Sequence, residues 1–77
     1  MALTIRLFGQ FAEMAGSPSL QVDQVADTDG LRRKLETMFP VLQSIPYLVA
    51  VDKDIATGNT ILQPTSVIAL LPPYSGG

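Results

Sequence analysis

The sequence predicts an α+β chain, a mixed sheet with one main helix packed across one of its faces. Three observations lead there. Residues 2–8 alternate, with Leu3, Ile5 and Leu7 on one side and Thr4, Arg6 and Phe8 on the other, the period-2 pattern of a half-buried strand. Leu31, Leu35 and Met38 recur at i, i+4 and i+7, which draws one apolar stripe along a helix. Residues 67–71, Val-Ile-Ala-Leu-Leu, are apolar throughout and stand near the far end of the chain. The first and last strands are thus the most apolar, as central strands are. Side by side, they leave the helix to cover one face.

The elements follow in order. After the first strand, residues 9–16 read as a turn or a single helical turn, closed by Gly16 and Pro18. Leu20 and Val22 alternate with Gln21 and Asp23, so a second short strand completes a hairpin with a wide connection. Asp27 or Thr28 caps the helix that begins at Thr28-Asp29-Gly30, by accepting an otherwise orphaned amide hydrogen bond. Pro40 disfavours helical geometry at Phe39, so the helix ends near Met38. In the connector, Val41, Leu42 and Ile45 are expected to pack beneath the helix. Tyr47 to Val51 reads as a strand, Asp52-Lys53-Asp54 as a turn, and Ile55-Ala56-Thr57 as a short extended piece. Gly58-Asn59 and Gln63-Pro64-Thr65-Ser66 are further turn signals. Pro72-Pro73 ends the last strand, because neither residue can donate to a ladder. The organisation expected is one domain over residues 1–71 and a flexible tail over 72–77, without repeats or linkers.

Composition narrows the chemistry. The chain has 77 residues, no cysteine and no histidine, and 47% of it is apolar. Its core must hold without disulfides. The usual zinc ligands and the Cys or His of most covalent and general-base machinery are missing. The carboxylates Glu13, Asp23, Asp27, Asp29, Glu36, Asp52 and Asp54 do not pair inside an apolar segment, where their pKa would be raised for acid–base work. A self-contained active site and a bound metal or cofactor are not expected; the chain takes part in chemistry as a substrate, carrier or subunit. Net charge is −2, and the one basic cluster, Arg32-Arg33-Lys34, reads as a solvated helix face. Nucleic-acid binding is not expected. No signal peptide or membrane-length apolar run is evident, which fits a cytoplasmic location.

The sequence ends Pro72-Pro73-Tyr74-Ser75-Gly76-Gly77. Six extended residues reach at most about 20 Å. The prolines stiffen the root of this arm, while Gly76 and Gly77 carry no side chain and fit a pocket too narrow for a Cβ. The terminal α-carboxyl is ionised at neutral pH and is a poor electrophile. Acyl chemistry at Gly77 therefore needs activation. Adenylation supplies a leaving group, and a sulfur nucleophile on a partner then leaves a thiocarboxylate without any cysteine in the carrier.

In these elements the chain resembles the small subunit of molybdopterin synthase. The residues that carry the resemblance are Ile5-Arg6-Leu7-Phe8-Gly9 with Glu13-Met14-Ala15-Gly16, then Leu31-Arg32-Arg33-Lys34-Leu35 and Val49-Ala50-Val51-Asp52. Most specific is the ending, residues 67–77 with Pro-Pro-x-Ser-Gly-Gly at the C-terminus. The resemblance covers essentially the whole chain and implies a β-grasp, ubiquitin-like roll. It implies that a ubiquitin-activating-enzyme-like adenylyltransferase, using ATP and Mg2+, adenylates Gly77, and that a sulfurtransferase supplies the sulfur. The tail then enters the large subunit of a heterotetramer, which holds the catalytic side chains. There the thiocarboxylate donates sulfur to cyclic pyranopterin monophosphate in molybdenum cofactor biosynthesis. The chain departs from the family at Gln63-Pro64-Thr65-Ser66, often an acid-Gly-acid turn, at Asp52, often Asn, and at Val67, often acidic.

An acid at the Val67 position in relatives implies the outer face of the sheet. Val67, Ala69 and Leu71 then face out, with Ile68 and Leu70 inward. If the first and last strands are neighbours, Phe8, Val67, Ala69 and Leu71 form an exposed apolar patch beside the tail, with Arg6 on the same face. Such patches commonly mark binding sites. The partner-binding set expected is Arg6, Phe8, Val67, Ala69, Leu71, Pro72, Pro73, Tyr74 and Ser75, and the reacting end is Gly76-Gly77. Three other functions fit the Gly-Gly tip: a sulfur carrier for thiamine or cysteine synthesis, a ubiquitin-like modifier joined to lysines, and a plain interaction domain.

Overall fold

The computed structural model describes residues 2–73. Five strands form one mixed sheet in the order β2-β1-β5-β3-β4. The first strand, β1 (Ala2–Leu7), pairs antiparallel with β2 (Ser19–Asp23) and parallel with β5 (Ile68–Leu71). On its other side β5 pairs antiparallel with β3 (Leu48–Val51), and β3 continues into the two-residue strand β4 (Asp54–Ile55). The first and last strands are therefore neighbours at the sheet's centre, as their apolar character requires. The period-2 reading of β1 holds residue by residue: Leu3, Ile5 and Leu7 are buried, and Thr4, Arg6 and Phe8 are exposed.

Two helices attach to this sheet. A six-residue helix, α1 (Gln10–Ala15), fills the β1–β2 connection and buries Phe11. It ends at Gly16 in the left-handed conformation that glycine adopts without a Cβ penalty. The main helix, α2 (Thr28–Met38), buries Leu31 and Leu35 completely against the inner face. Its cap is Asp27, whose Oδ1 accepts from the Gly30 amide at 2.9 Å. The third member of the expected stripe, Met38, is instead 45% exposed. The helix stops there, and a 3-10 turn over Pro40–Gln43 takes the covering role. Within that turn Leu42 is buried and Val41 is not, contrary to expectation. The tighter turn points the two side chains apart, so only one can reach the core.

The core joins Leu3, Ile5, Leu7, Phe11, Leu31, Leu35, Val49, Ile68 and Leu70 in one cluster. At its margin Tyr47 meets the Phe11 ring edge-on, with centroids 6.4 Å apart, and Arg32 lies 5.5 Å from the Tyr47 ring centre. The Tyr47 hydroxyl donates to Glu36 at 2.7 Å. Burial and the Glu36 carboxylate push this phenol up to about 12.

The segment between β4 and β5 is held to the start of α2. Thr28, fully buried, accepts from the Thr60 amide through its hydroxyl, and its own amide donates to the Thr60 carbonyl, both at 2.9 Å. Asn59 donates to Asp27 at 3.1 Å and accepts from the Asp29 amide at 2.9 Å. The Gly30 amide and Asn59, both donating, hold the Asp27 carboxyl below its ordinary value.

Candidate docking face and arm root

The pairing registers lay out the sheet's outer face in rows. Arg6 stands opposite Ala69, and Ala69 opposite Ala50, which faces Ile55 across the β3–β4 hairpin. One row further along, Leu71 stands opposite Leu48. Phe8 extends β1 alongside it, its amide donating to the Leu70 carbonyl at 3.2 Å. Ile68 and Leu70 are buried, while Val67, Ala69 and Leu71 alternate with them on the outer side. The outward and inward sets thus fall as the sequence placed them. Phe8 is 45% and Val67 53% exposed.

The face is broader than the sequence predicted. Leu48, Ala50 and Ile55 belong to it as well, through β3 and β4. The signal was the Asp52-Lys53 pair. Both residues have positive φ, 52° and 75°, and Val51 pairs with Asp54. That is a two-residue hairpin of the type whose twist matches its strands. Its register sends Ile55 to the same side as Ala50. The hairpin is tied to β5 at its tip, where the Asp52 amide donates to the Val67 carbonyl at 2.8 Å and the Asp52 carboxylate accepts from the Val67 amide at 3.0 Å. Toward β2 the face turns polar: Thr4, Arg6, Pro18, Ser19, Ser66 and Val67 line a shallow depression of about 390 Å3.

Because β1 and β5 run parallel, their C-terminal ends lie together, and the arm leaves the middle of the sheet beside Phe8. Its first residue is braced. Pro72 is buried, and a Cβ at Gly9 would lie 3.0 Å from the Pro72 ring. Gly9 has φ 57° and ψ −132°, backbone that favours glycine. The sequence showed Gly9 only as part of a motif; its contact with Pro72 arises from the parallel pairing. Pro73 is exposed. Tyr74, Ser75, Gly76 and Gly77 lie outside the described residues. Among the described residues no three His, Cys, Asp or Glu side chains converge as metal ligands, and no helix is long and apolar enough to cross a membrane.

The profile of the ThiS family matches residues 5–77. The chain belongs to the ThiS family. Comparison with curated proteins gives no match. Among solved structures, this ThiS-family chain is similar to the crystal structure of small archaeal modifier protein 1 from Haloferax volcanii, at 28% identity over 100% of both chains and a TM-score of 0.74. A second crystal structure of the Haloferax volcanii protein matches at 26% identity over 94% of this chain and 97% of that one, with a TM-score of 0.74. The solution structure of small archaeal modifier protein 1 from Methanosarcina acetivorans matches in fold, with a TM-score of 0.78, 22% identity and coverage of 99% and 96%. The expected β-grasp, ubiquitin-like fold is the one observed.

Proposed function

We propose that this ThiS-family chain is a sulfur carrier whose C-terminal Gly77 carboxylate is the reacting group. The observation that carries the reading is the arm's root. The central strand β5 runs out through a Pro72 braced on Gly9, beside an apolar face, toward Gly76-Gly77. In the first step a carboxylate oxygen attacks the α-phosphate of ATP and pyrophosphate leaves. A persulfide carried by a sulfurtransferase then attacks the acyl adenylate and AMP leaves; a cysteine thiol of the partner cleaves the resulting acyl disulfide, forming a disulfide there and releasing the thiocarboxylate, so that oxygen is replaced by sulfur. The adenylyltransferase supplies the ATP and Mg2+ site. Phe8, Arg6, Val67, Ala69 and Leu71 dock partners, while Pro72, Pro73, Tyr74 and Ser75 carry the tip into the partner's pocket. The acceptor that the resemblance implies is cyclic pyranopterin monophosphate, held by a molybdopterin synthase large subunit.

Similarity to the small archaeal modifier over the whole chain favours a second outcome from the same activated Gly77, transfer to lysine amines as a ubiquitin-like modifier. One experiment separates the two. The chain is incubated with an adenylyltransferase of the ubiquitin-activating type, a sulfurtransferase and Mg-ATP, and its C-terminal peptide is weighed. Carrier function gives oxygen-to-sulfur exchange at Gly77, lost on deleting Gly77 with the fold intact. Isopeptide-linked products without a thiocarboxylate select the modifier, and no adenylate at all removes both. Phe8→Asp leaves an exposed position and an intact fold, and is expected to abolish co-purification with the large subunit; undiminished co-purification removes Phe8 from the docking face.

A further inference from the structure

The root of the arm is seated on a rigid frame. Strand β5 ends at Leu71, and the Phe8 amide donates to the Leu70 carbonyl at 3.2 Å just before that end. Pro72 lies beyond the strand and is buried all the same, its ring against Gly9. Leu71 and Pro72 each precede a proline, which confines both to extended backbone. Between described residues no hydrogen bond holds Pro72 or Pro73, so the seat of the ring sets the direction of the chain there.

Gly9 is itself held in place. Its carbonyl accepts from the Ala12 amide, and the Phe8 carbonyl accepts from the Phe11 amide, both at 3.2 Å, at the start of α1. Phe11 is fully buried, which anchors the seat in the core. With φ 57° and ψ −132° the backbone suits glycine, and a Cβ would stand 3.0 Å from Pro72 Cγ. The preceding residue, exposed Phe8, belongs to the docking face. One turn of backbone thus carries both the face that a partner grips and the seat that aims the arm.

We propose that Gly9 is a positioning residue for the reaction at Gly77. It fixes the angle between the Phe8–Leu71 face and the arm, so that a partner docked on the face receives the carboxylate at the α-phosphate of its ATP. This rests on Gly77 being the reacting group. Aiming is separable from docking, because Gly9 has no side chain with which to grip a partner. Gly77 lies five residues beyond Pro72, at most about 18 Å away. A Cβ at Gly9 pushes the ring by a few tenths of an ångström, a tilt of about 0.1 radian, and moves the tip of a straight arm by about 2 Å. A misplacement of about 1 Å can cost about a hundredfold in rate. Glycine torsions at 76 and 77 take up part of the tilt, so a loss of about tenfold is expected.

The test measures thiocarboxylate formation on the full chain by an adenylyltransferase of the ubiquitin-activating type, a sulfurtransferase and Mg-ATP. The carrier concentration is varied, at a temperature where circular dichroism shows each variant folded. Gly9→Ala should lower kcat about tenfold and leave KM for the carrier within about twofold, whereas Phe8→Asp should raise KM. Gly16→Ala, left-handed but with nothing near its Cβ, should keep both constants near wild type. Pro72→Ala should lower kcat as Gly9→Ala does, and the double variant should be no slower than the slower single one, because the two act as a unit. Pro72→Ala carries the test alone if Gly9→Ala does not fold. Four results each overturn the proposal: kcat unchanged in the folded variants, a rise in KM with kcat unchanged, an equal loss in Gly16→Ala, or losses that multiply in the double variant. If wild type itself gains neither adenylate nor sulfur, the reading of Gly77 falls and this proposal with it; if wild type reacts and the variants keep pace, only the role of Gly9 falls.

Discussion

Gly9→Ala tests how the arm is anchored. At φ 57° and ψ −132° the backbone of residue 9 lies where an L-residue is strained, at about 1–3 kcal/mol. The new methyl would also lie 3.0 Å from the Pro72 ring, so that ring must shift by a few tenths of an ångström. Together these give a loss of about 2–3 kcal/mol, or a fall in Tm of about 8–24 °C for a domain of this size. Gly16→Ala is the control. Gly16 is also left-handed, at φ 72°, but a Cβ there meets nothing within 4 Å. Its cost is confined to backbone strain, about 1–2 kcal/mol. Thermal unfolding followed by circular dichroism measures both. A cycle with Pro72→Ala isolates the contact, since Gly9→Ala should cost less once the ring is gone. Two results would refute the reasoning: Gly9→Ala melting no lower than Gly16→Ala, or an equal cost with and without the Pro72 ring.

Three further outcomes follow from the packing and the titrating groups. Leu35→Ala should cost about 2–5 kcal/mol and Met38→Ala less than about 1 kcal/mol, although both lie on one apolar stripe in the sequence; urea midpoints compare them. Asp27 has a lowered pKa, so its contribution is complete above the unfolded value of 3.8 and is lost as pH falls through the folded one. Asp27→Asn keeps an N-capping oxygen but removes that titration, so the decline of the urea midpoint in acid should be shallower than in wild type. Tyr47, raised from 10.0 to about 12, works in the opposite direction: its contribution is complete below pH 10.0 and is lost as pH rises toward 12. In a Tyr74→Phe background the phenolate absorbance should therefore rise late, and Tyr47→Phe should lower stability by about 1 kcal/mol at neutral pH.

Much of the fold was legible because its signals are local. The alternation of Leu3, Ile5 and Leu7 determined which side of β1 is buried, since strand side chains alternate whatever the strand pairs with. Asp27 followed by Gly30, with Pro40 beyond, bounded α2 for the same kind of reason. Met38 and Val41 were misplaced because burial at a helix end depends on where the chain turns next. The 3-10 turn at Pro40 carries the backbone away before Met38 can be covered.

For the candidate site, the outward set Val67, Ala69 and Leu71 was legible from period-2 alternation and from the residue type that relatives place at Val67. Leu48, Ala50 and Ile55 were not assigned to that face, because strand periodicity gives two faces without saying which is which. Only the pairing of β3 with β5 orients β3, and the Asp52-Lys53 hairpin carries that orientation on to β4.

The sequence by itself determined that this chain has no cysteine or histidine to react with, and that it carries a side-chain-free Gly76-Gly77 downstream of Pro72-Pro73. Those are covalent facts, independent of conformation. Tertiary structure alone decided where the arm begins. Parallel pairing of β1 with β5 brings residues 63 positions apart, Gly9 and Pro72, into contact, and puts the root of the arm beside Phe8. No local pattern encodes that proximity, because it follows from which strands share the centre of the sheet.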